Sequence, residues 1–209
     1  MSLTNQDIAI NLDNCLPKMD LERIFFRPAP LHLEIGSGKG TFLLNQARAH
    51  PHLNFLGLEW ANKYYRYSVD RMRRWGITNV RLLRADAREV IGRLLPDKAV
   101  TAFHIYFPDP WPKKRHHKRR LFNPSNVEHL LRCLQNEGEL RVATDHAPYF
   151  EIICHVLHDT RIAPRLEKID FLPLDAADEG EWVGSNFERK YLKEGRKVFT
   201  LALRKRAPV

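Results

Sequence analysis

The sequence predicts an α/β fold with a mostly parallel, doubly wound sheet of seven strands and helices on both faces. Short apolar runs rich in β-forming residues alternate with longer stretches of helical periodicity, which is typical of parallel strands joined by helices. Acidic side chains also follow successive runs, where the carboxyl ends of parallel strands meet. With 209 residues and 44% hydrophobic content, the chain can bury one good core and is expected to form one domain.

The individual elements follow from the two periodicities. The predicted strands are the β-rich runs Leu31–Ile35, Leu53–Glu59, Val80–Arg84, Val100–Phe107, Glu139–Thr144, Leu166–Leu172 and Val198–Arg204. The predicted helices begin near Gly40, Ala61, Ala87, Pro124 and Ala147. The third helix is short because Leu95-Pro96-Asp97 stops it, and the fourth ends at Gly138. Residues 173–195 are polar and loop-like, with a short helix possible over Phe187–Lys193.

The charge of the chain is concentrated in one place. The 34 Lys and Arg residues outnumber the 25 Asp and Glu residues, which gives a net charge of +9. Six of these cations lie between residues 113 and 120, and without them the net charge is +3. A local excess of this kind is typical of a surface that docks nucleic acid, whereas a solubility surface is uniformly basic.

The cysteines and the N-terminus exclude several classes of protein. Cys15, Cys133 and Cys154 are odd in number, far apart and without metal-ligand spacing, so we expect neither disulfides nor a metal site, and a reducing cytoplasm fits. The N-terminus is polar, and we expect no signal peptide and no membrane span.

The most informative segment reads Phe107-Pro108-Asp109-Pro110-Trp111-Pro112 and continues without a gap into Lys113-Lys114-Arg115-His116-His117-Lys118-Arg119-Arg120. Three prolines fix φ and hold Asp109 and Trp111 in an extended display. The cations repel one another, which becomes favourable when phosphates approach. The segment therefore predicts a site that faces a nucleic acid and carries a selective or reactive group at its edge.

A second motif, Leu33-Glu34-Ile35-Gly36-Ser37-Gly38-Lys39-Gly40, joins the first strand to a helix. Glycines at alternate positions allow the backbone to pass close to a ligand, although a tight turn that needs small residues explains them equally well. Neither the dinucleotide-binding pattern nor the P-loop pattern fits. Glu34 would repel a pyrophosphate and suits a cationic ligand, such as the amino group of S-adenosylmethionine.

Two further acids follow the next two predicted strands. Glu59 has the spacing of a carboxylate that binds ribose hydroxyls, but alone it is as readily a helix cap or a surface acid. Asp86 is an acceptor for an adenine amino group or, again, a helix cap. With Glu34 and Asp109, these acids converge at the edge where open α/β sheets bind ligands.

Several other side chains have two interpretations. The Tyr64, Tyr65, Tyr67, Met72 and Trp75 side chains form a predicted helix packing face, beside which Arg71, Arg73 and Arg74 extend the cationic surface. Trp111 either stacks on a base or anchors the core. Taken alone, Asp145 caps a helix, and Glu188 pairs with Arg189 or Lys190 on a surface.

Together these motifs resemble the bacterial tRNA (guanine-N7)-methyltransferase family, the TrmB-like enzymes. The segments that carry the resemblance are Leu33–Gly40, Phe107–Arg120, Thr144-Asp145 and Ser185-Asn186-Phe187-Glu188. The glycine loop is common to many methyltransferases, whereas the proline-rich turn joined to the basic tract is highly specific. The family motif usually begins with Thr where this chain has Ser185, which keeps the hydroxyl.

The resemblance implies a single Rossmann-like, S-adenosylmethionine-dependent methyltransferase domain over residues 31–209, preceded by an N-terminal segment over residues 1–30. Family members often carry a longer segment there. The implied S-adenosylmethionine site is Glu34, Gly36, Gly38, Gly40, Glu59, Asp86 and Asp109, of which Asp109 is the catalytic residue. The implied contacts to the substrate guanosine are Lys113, Asp145, Ser185, Asn186, Phe187 and Glu188. The tRNA backbone is expected on Lys114, Arg115, Lys118, Arg119 and Arg120.

The implied reaction is methyl transfer to N7 of a guanosine in the variable loop of tRNA, by a monomer or a homodimer. Guanine N7 carries an in-plane lone pair and no proton, so positioning is needed and a strong general base is not. Two alternatives remain. One is an exocyclic-amine methyltransferase, although Asp109-Pro110-Trp111 lacks the double proline of those enzymes. The other is a basic RNA-binding protein without catalysis.

Overall fold

A computed structural model describes residues 4–175 and 177–207 and shows one sheet of eight strands. The strands are β1 (Ala9–Ile10), β2 (Leu31–Ile35), β3 (Asn54–Leu58), β4 (Val80–Leu83), β5 (Val100–Tyr106), β6 (Leu134–Thr144), β7 (Leu166–Ile169) and β8 (Phe199–Lys205). Their order is β1-β4-β3-β2-β5-β6-β8-β7, with β8 antiparallel to both of its neighbours and the other pairs parallel. The prediction of a mostly parallel α/β sheet is confirmed, with one strand more than expected.

The additional strand comes from the first thirty residues. Ala9 and Ile10 pair with Leu82 and Leu83 at the edge of the sheet. Nearby apolar side chains, including Ile8 and Phe25, are buried. Two residues are too few for a periodicity of two to be visible in the sequence. The N-terminal segment therefore packs on the same core as the rest of the chain.

The helices are α1 (Asn5–Ile8), α2 (Leu21–Phe25), α3 (Thr41–Ala49), α4 (Asn62–Arg74), α5 (Ala87–Glu89), α6 (Pro124–Cys133), α7 (Ala147–Leu157) and α8 (Asn186–Lys193). All five predicted helix starts and the predicted short helix before residue 195 are confirmed to within one residue. A single π-helical turn, Val90–Leu94, extends α5 before Pro96. Within the described ranges, no helix has the length and apolar character needed to cross a membrane.

The predicted end of the helix that begins at Pro124, at Gly138, was wrong. The helix α6 ends at Cys133, and β6 begins at once at Leu134, five residues before the predicted strand. The pairing with β5 shifts register between Val100 and Ala102. A Cβ on Gly138 would lie 2.9 Å from the Thr101 carbonyl oxygen. Gly138 thus permits a close approach between two strands, which requires a residue without a side chain. In the sequence, such a glycine cannot be distinguished from one that ends a helix.

The chain order reverses between β2 and β5, so that β3 and β4 lie on one side and β6 lies on the other. Loops after adjacent strands at such a point leave a crevice for a ligand. The two loops that border it are residues 36–40, after β2, and residues 107–113, after β5. The two strongest sequence motifs therefore meet at one edge of the sheet.

Candidate active site

The loop of residues 36–40, called here the glycine loop, turns sharply through three glycines with positive φ. The backbone N–H groups of Gly36 and Ser37 donate to the Leu58 carbonyl, which fixes the loop to β3. A Cβ on Gly40 would lie 2.8 Å from Ser68 Oγ, so this glycine allows α3 and α4 to pack closely. A Cβ on Gly36, in contrast, would meet nothing within 4 Å. The backbone at Gly36 is thus open to a ligand.

Glu59 connects the glycine loop to the start of α4. Its two carboxylate oxygens accept hydrogen bonds from the backbone N–H groups of Gly38, at 2.8 Å, and Ala61, at 2.7 Å. The side chain is nearly buried. Each oxygen retains a second lone pair, so a role in binding ribose hydroxyls remains compatible with this bridging role and stays a prediction.

Glu34 is the least satisfied carboxyl group of the site. It is 4% exposed, and its Oε2 atom is buried without a hydrogen-bond partner among the described residues. Burial, and secondarily the nearby charge of Glu59, raise the pKa of this carboxyl well above its usual range. A buried carboxyl without a partner is costly unless a cationic or donating ligand approaches it. Glu34 therefore fits the ammonium group that its sequence position predicted.

A cavity of about 210 Å³ lies directly above Glu34 and the glycine loop. The start of α3, the end of β5 and the start of α8 complete its wall, together with Tyr64 of α4. Of the predicted site residues, the lining brings together Glu34, Gly36, Gly38, Ser185, Asn186 and Phe187. The cavity combines backbone polar groups, one buried acid and aromatic rings, which is the usual make-up of a nucleoside site.

Asp86 is not part of this wall. It caps α5 by accepting a hydrogen bond from the Arg88 backbone N–H, and its carboxylate also pairs with the Arg88 guanidinium. Hydrogen bonds from that guanidinium are the main reason why the pKa of Asp86 is lowered. The prediction that Asp86 caps a helix is therefore confirmed. Its role in adenine binding stays a prediction, and it would require the carboxylate to bind the adenine amino group and Arg88 at the same time.

The turn of residues 107–112, called here the motif turn, is held in an unusual conformation. Phe107 and Trp111 have φ values of 52° and 42°, which are rare for bulky residues and need support from their surroundings. Arg120 provides it, since its guanidinium donates to the carbonyl oxygens of Pro110, at 2.8 Å, and Trp111, at 3.2 Å. Asp109 is exposed at the centre of this turn and has no hydrogen-bond partner in the described part of the chain.

The charges of Asp109 and Asp145 both influence one side chain of α8, Tyr191. Burial, and then the charges of Asp145 and Asp109 among others, raise the pKa of the Tyr191 hydroxyl. Asp145 is paired with Arg196 at 2.8 Å, and the Arg196 guanidinium also lies 4.6 Å from the Tyr191 ring centre. The two acids follow adjacent strands, β5 and β6.

The segment Ser185–Glu188 is divided between two roles. Ser185 caps α8, because its Oγ accepts a hydrogen bond from the Glu188 backbone N–H at 3.1 Å. The surface interpretation of Glu188 was wrong, since this residue is fully buried. Its carboxylate accepts hydrogen bonds from the backbone N–H groups of residues 182, 183 and 184 at 2.6 to 2.9 Å. Glu188 therefore holds the chain that leads into the cavity wall, and its predicted contact with guanosine remains untested.

We expect Glu188→Ala to lower the free energy of unfolding by roughly 3 kcal/mol, because three backbone N–H groups, two of them buried, lose their acceptor and water can replace only some of them. Urea denaturation measures this change, and amide exchange should accelerate at residues 182–184. Glu179→Ala is the matched control, since Glu179 is an exposed glutamate of the same segment. Equal stabilities of the two variants would contradict the holding role.

The basic tract is the surface of residues 113–120. Lys114–Arg119 form a 3₁₀ helix that follows the motif turn, and Lys113 lies at its N-cap. Most of these side chains are exposed, including Lys114, Arg115 and Lys118. Arg119 lies 5.0 Å from the centre of the Trp111 ring. Arg120, in contrast, is engaged by the motif turn, so it supports Asp109 whether or not it also contacts RNA.

Sequence patterns did not identify several residues of the site. Tyr106 and Phe107 line the cavity, as do Lys39 and Lys190. The Tyr106 hydroxyl is hydrogen-bonded to His104 Nδ1 at 2.7 Å, inside the sheet. The position of Tyr106 just before the motif turn was an available signal. Lys190 lies one helical turn after Asn186, which places both on one face of α8. Among the described residues, no group of three His, Cys, Asp or Glu side chains could hold a metal ion.

Comparison with known proteins identifies the family of this chain. The family model described as "Putative methyltransferase" matches residues 28–201. A tRNA (guanine-N(7)-)-methyltransferase from Alkalilimnicola ehrlichii is 40% identical over 188 residues, which cover 90% of this chain and 78% of that protein. One from Leifsonia xyli subsp. xyli is 38% identical over 190 residues, or 89% of this chain and 81% of that protein.

The solved structure of the antibiotic-resistance methyltransferase Kmr has a similar fold. It superimposes with a TM-score of 0.60 at 21% identity and covers 91% of this chain and 93% of that chain. The sequence matches therefore identify the family, and the structural match is consistent with it in fold. This chain belongs to the tRNA (guanine-N7)-methyltransferase family.

Proposed function

We infer that this protein transfers a methyl group from S-adenosylmethionine to N7 of a guanosine in tRNA. The observation that carries the inference is the buried Glu34 carboxyl, whose Oε2 atom has no hydrogen-bond partner among the described residues. It lies beside the open glycine loop and next to the turn that displays Asp109. That turn continues directly into the basic tract. The proposed cofactor site, Asp109 and the basic tract thereby lie at the same edge of the sheet.

The residues present fit the cofactor. Glu34 would hold its ammonium group, Glu59 its ribose hydroxyls, and the open backbone at Gly36 would lie against it. When bound, S-adenosylmethionine supplies an electrophilic methyl group on a positively charged sulfur. The cavity wall excludes water from the Glu34 carboxyl, which strengthens its attraction for a cation.

The chain needs no general base for this transfer, because guanine N7 has no proton to lose. Its task is to align N7 with the methyl group, and such alignment supplies a large share of the rate in group transfer. Asp109 and Asp145 would accept hydrogen bonds from guanine N1–H and the exocyclic amine, a pattern that adenine does not offer. Their negative charge also stabilises the positive charge that develops on the base.

Other expectations of the sequence support a consistent picture. Cys15, Cys133 and Cys154 are free thiols, which is compatible with the cytoplasm where tRNA is modified. We propose that the substrate is a guanosine of the variable loop and that the protein acts as a monomer or a homodimer.

The function is tested by incubating the protein with unmodified tRNA and tritiated S-adenosylmethionine and then analysing the nucleosides. We expect the label in 7-methylguanosine. Label found only in N6-methyladenosine or N4-methylcytosine would favour an exocyclic-amine methyltransferase. Calorimetry without detectable binding of S-adenosylmethionine would leave only a role in RNA binding.

The basic tract and Arg120 are predicted to behave differently. The variant K114A/R115A/K118A should bind tRNA more weakly and lower the slope of log affinity against log salt by roughly 2 to 3, because each phosphate contact contributes about 0.7 to 0.9. Arg120→Ala should reduce turnover, because the motif turn loses the guanidinium that holds it. It should leave the salt slope of tRNA binding mostly unchanged. Filter binding at several salt concentrations measures the slopes, and an unchanged slope in the triple variant would remove the tract from the RNA interface.

A further inference from the structure

The helix α4 exposes a basic and aromatic surface beside the cavity. Its buried side uses Ser68, Val69 and Met72, one helical turn apart, with Tyr65 half-buried next to them. The opposite side of its first two turns carries Lys63, Tyr64, Arg66 and Tyr67, and we call these four residues the α4 surface. The packing interpretation of Tyr64, Tyr67 and Trp75 was therefore wrong, because these three rings are exposed by 39%, 47% and 54%.

The cations of this helix fall into two groups. Arg73 and Arg74 form ion pairs with Asp70, and Arg71 donates to Lys39 O and Thr41 Oγ1. These three arginines therefore make contacts within the protein. Lys63 and Arg66 have no carboxylate partner among the described residues. Two cations without an ion pair in the described part of the chain thus lie among two exposed tyrosine side chains.

The position of the α4 surface relates it to the active site. The helix follows β3, the motif turn follows β5, and β2 with the glycine loop lies between them. Tyr64 itself lines the cavity. Phe107, in the motif turn that leads into the basic tract, also lines the cavity. One bound polymer can therefore contact both the α4 surface and the basic tract.

We propose that the α4 surface is a second RNA-binding surface, on which Tyr64 and Tyr67 stack against unpaired bases and Lys63 and Arg66 contact phosphates. This inference rests on the proposed function, since the RNA is the tRNA substrate. Aromatic rings interleaved with unpaired cations match single-stranded RNA, where every base offers a face for stacking and every nucleotide a charge. A base that must reach the cavity is unpaired, and so are neighbours that leave the duplex with it.

Two variants test the proposal without touching the cavity. K63A/R66A should lower the salt slope of tRNA binding by roughly 1.4 to 1.8, as expected for two lost phosphate contacts. Tyr67→Ala should weaken binding on the order of tenfold, as expected for one lost stacking partner, and should leave the slope unchanged. Tyr64 is left intact because it lines the cavity. Affinities are measured by equilibrium binding to unmodified tRNA.

The matched controls lie away from the carboxyl edge of the sheet. Trp75→Ala removes an exposed ring from the other end of α4, and R48A/K168A removes two exposed cations from α3 and β7. We expect both controls to bind tRNA as the wild type does. All variants should bind S-adenosylmethionine normally by calorimetry.

The outcomes separate this proposal from the proposed function. If the wild-type protein neither binds nor methylates tRNA, the proposed function fails. If it does both, and K63A/R66A and Tyr67→Ala match their controls, the α4 surface is not an RNA interface. If Tyr67→Ala changes the oligomeric state measured by light scattering and leaves RNA binding unchanged, then Tyr67 forms a contact between copies of the chain. That result would overturn the proposal.

Discussion

Asp109→Ala is expected to lower the rate of methyl transfer by roughly a thousandfold while leaving the affinity for tRNA nearly unchanged. Asp109 is exposed, flanked by two prolines, and presented by a turn that Arg120 holds in place. A turn fixed in this way around an acid that has no partner within residues 4–175 and 177–207 indicates a ligand contact. Its removal deletes the acceptor that orients the base, without deleting a phosphate contact.

Single-turnover kinetics with excess enzyme measure the transfer step directly, and thermal unfolding checks that the fold is intact. Asp109→Asn should fall between wild type and Asp109→Ala, because the amide keeps one acceptor oxygen and loses the charge. Asp13→Ala is the control, since Asp13 is an exposed aspartate beside β1. A near-normal rate for Asp109→Ala would exclude Asp109 from the reaction.

Much of the fold was predictable because it follows from local periodicity. The run Leu31–Ile35 was placed to the residue, and five helix starts were placed to within one residue. The glycine loop and the motif turn were also placed correctly, since proline and glycine restrict the backbone wherever they occur. What failed depends on contacts between distant segments. Strand β1 exists only through its partner β4, and the role of Gly138 depends on Thr101 in the neighbouring strand.

Partners of charged side chains were the least predictable part of the site. An isolated glutamate in a polar segment is usually on the surface, but Glu188 is buried beneath three N–H groups of a preceding turn. Arg120 belongs to the basic tract in the sequence and to the motif turn in the structure. These assignments require the three-dimensional course of the chain, because charge alone does not reveal which group will be its neighbour.

Glu34→Gln is expected to weaken S-adenosylmethionine binding by two to three orders of magnitude. The substitution preserves shape but leaves the cofactor ammonium in a nearly buried site without its counter-charge, which is the costly way to break a buried ion pair. Calorimetry measures the affinity. Glu59→Gln is the comparison, and it should cost less because Glu59 is engaged by two backbone N–H groups and would face the neutral hydroxyls of the ribose. An affinity of Glu34→Gln within tenfold of wild type would place the ammonium elsewhere.

The same substitution should stabilise the cofactor-free protein at neutral pH. Because burial raises the pKa of Glu34 in the folded state, the unfolded chain releases this proton at a lower pH than the folded chain does. Folding of the wild type is therefore penalised increasingly as the pH rises above the ordinary value of 4.5, and the penalty is absent below it. Glutamine has no proton to release, so the stability difference between the two proteins should grow from acidic to neutral pH. Urea denaturation at several pH values tests this, and a difference that shrinks with rising pH would mean that folding lowers the pKa of Glu34 instead of raising it. The combination of higher stability with lost affinity is what distinguishes a residue retained for its ligand from one retained for the fold.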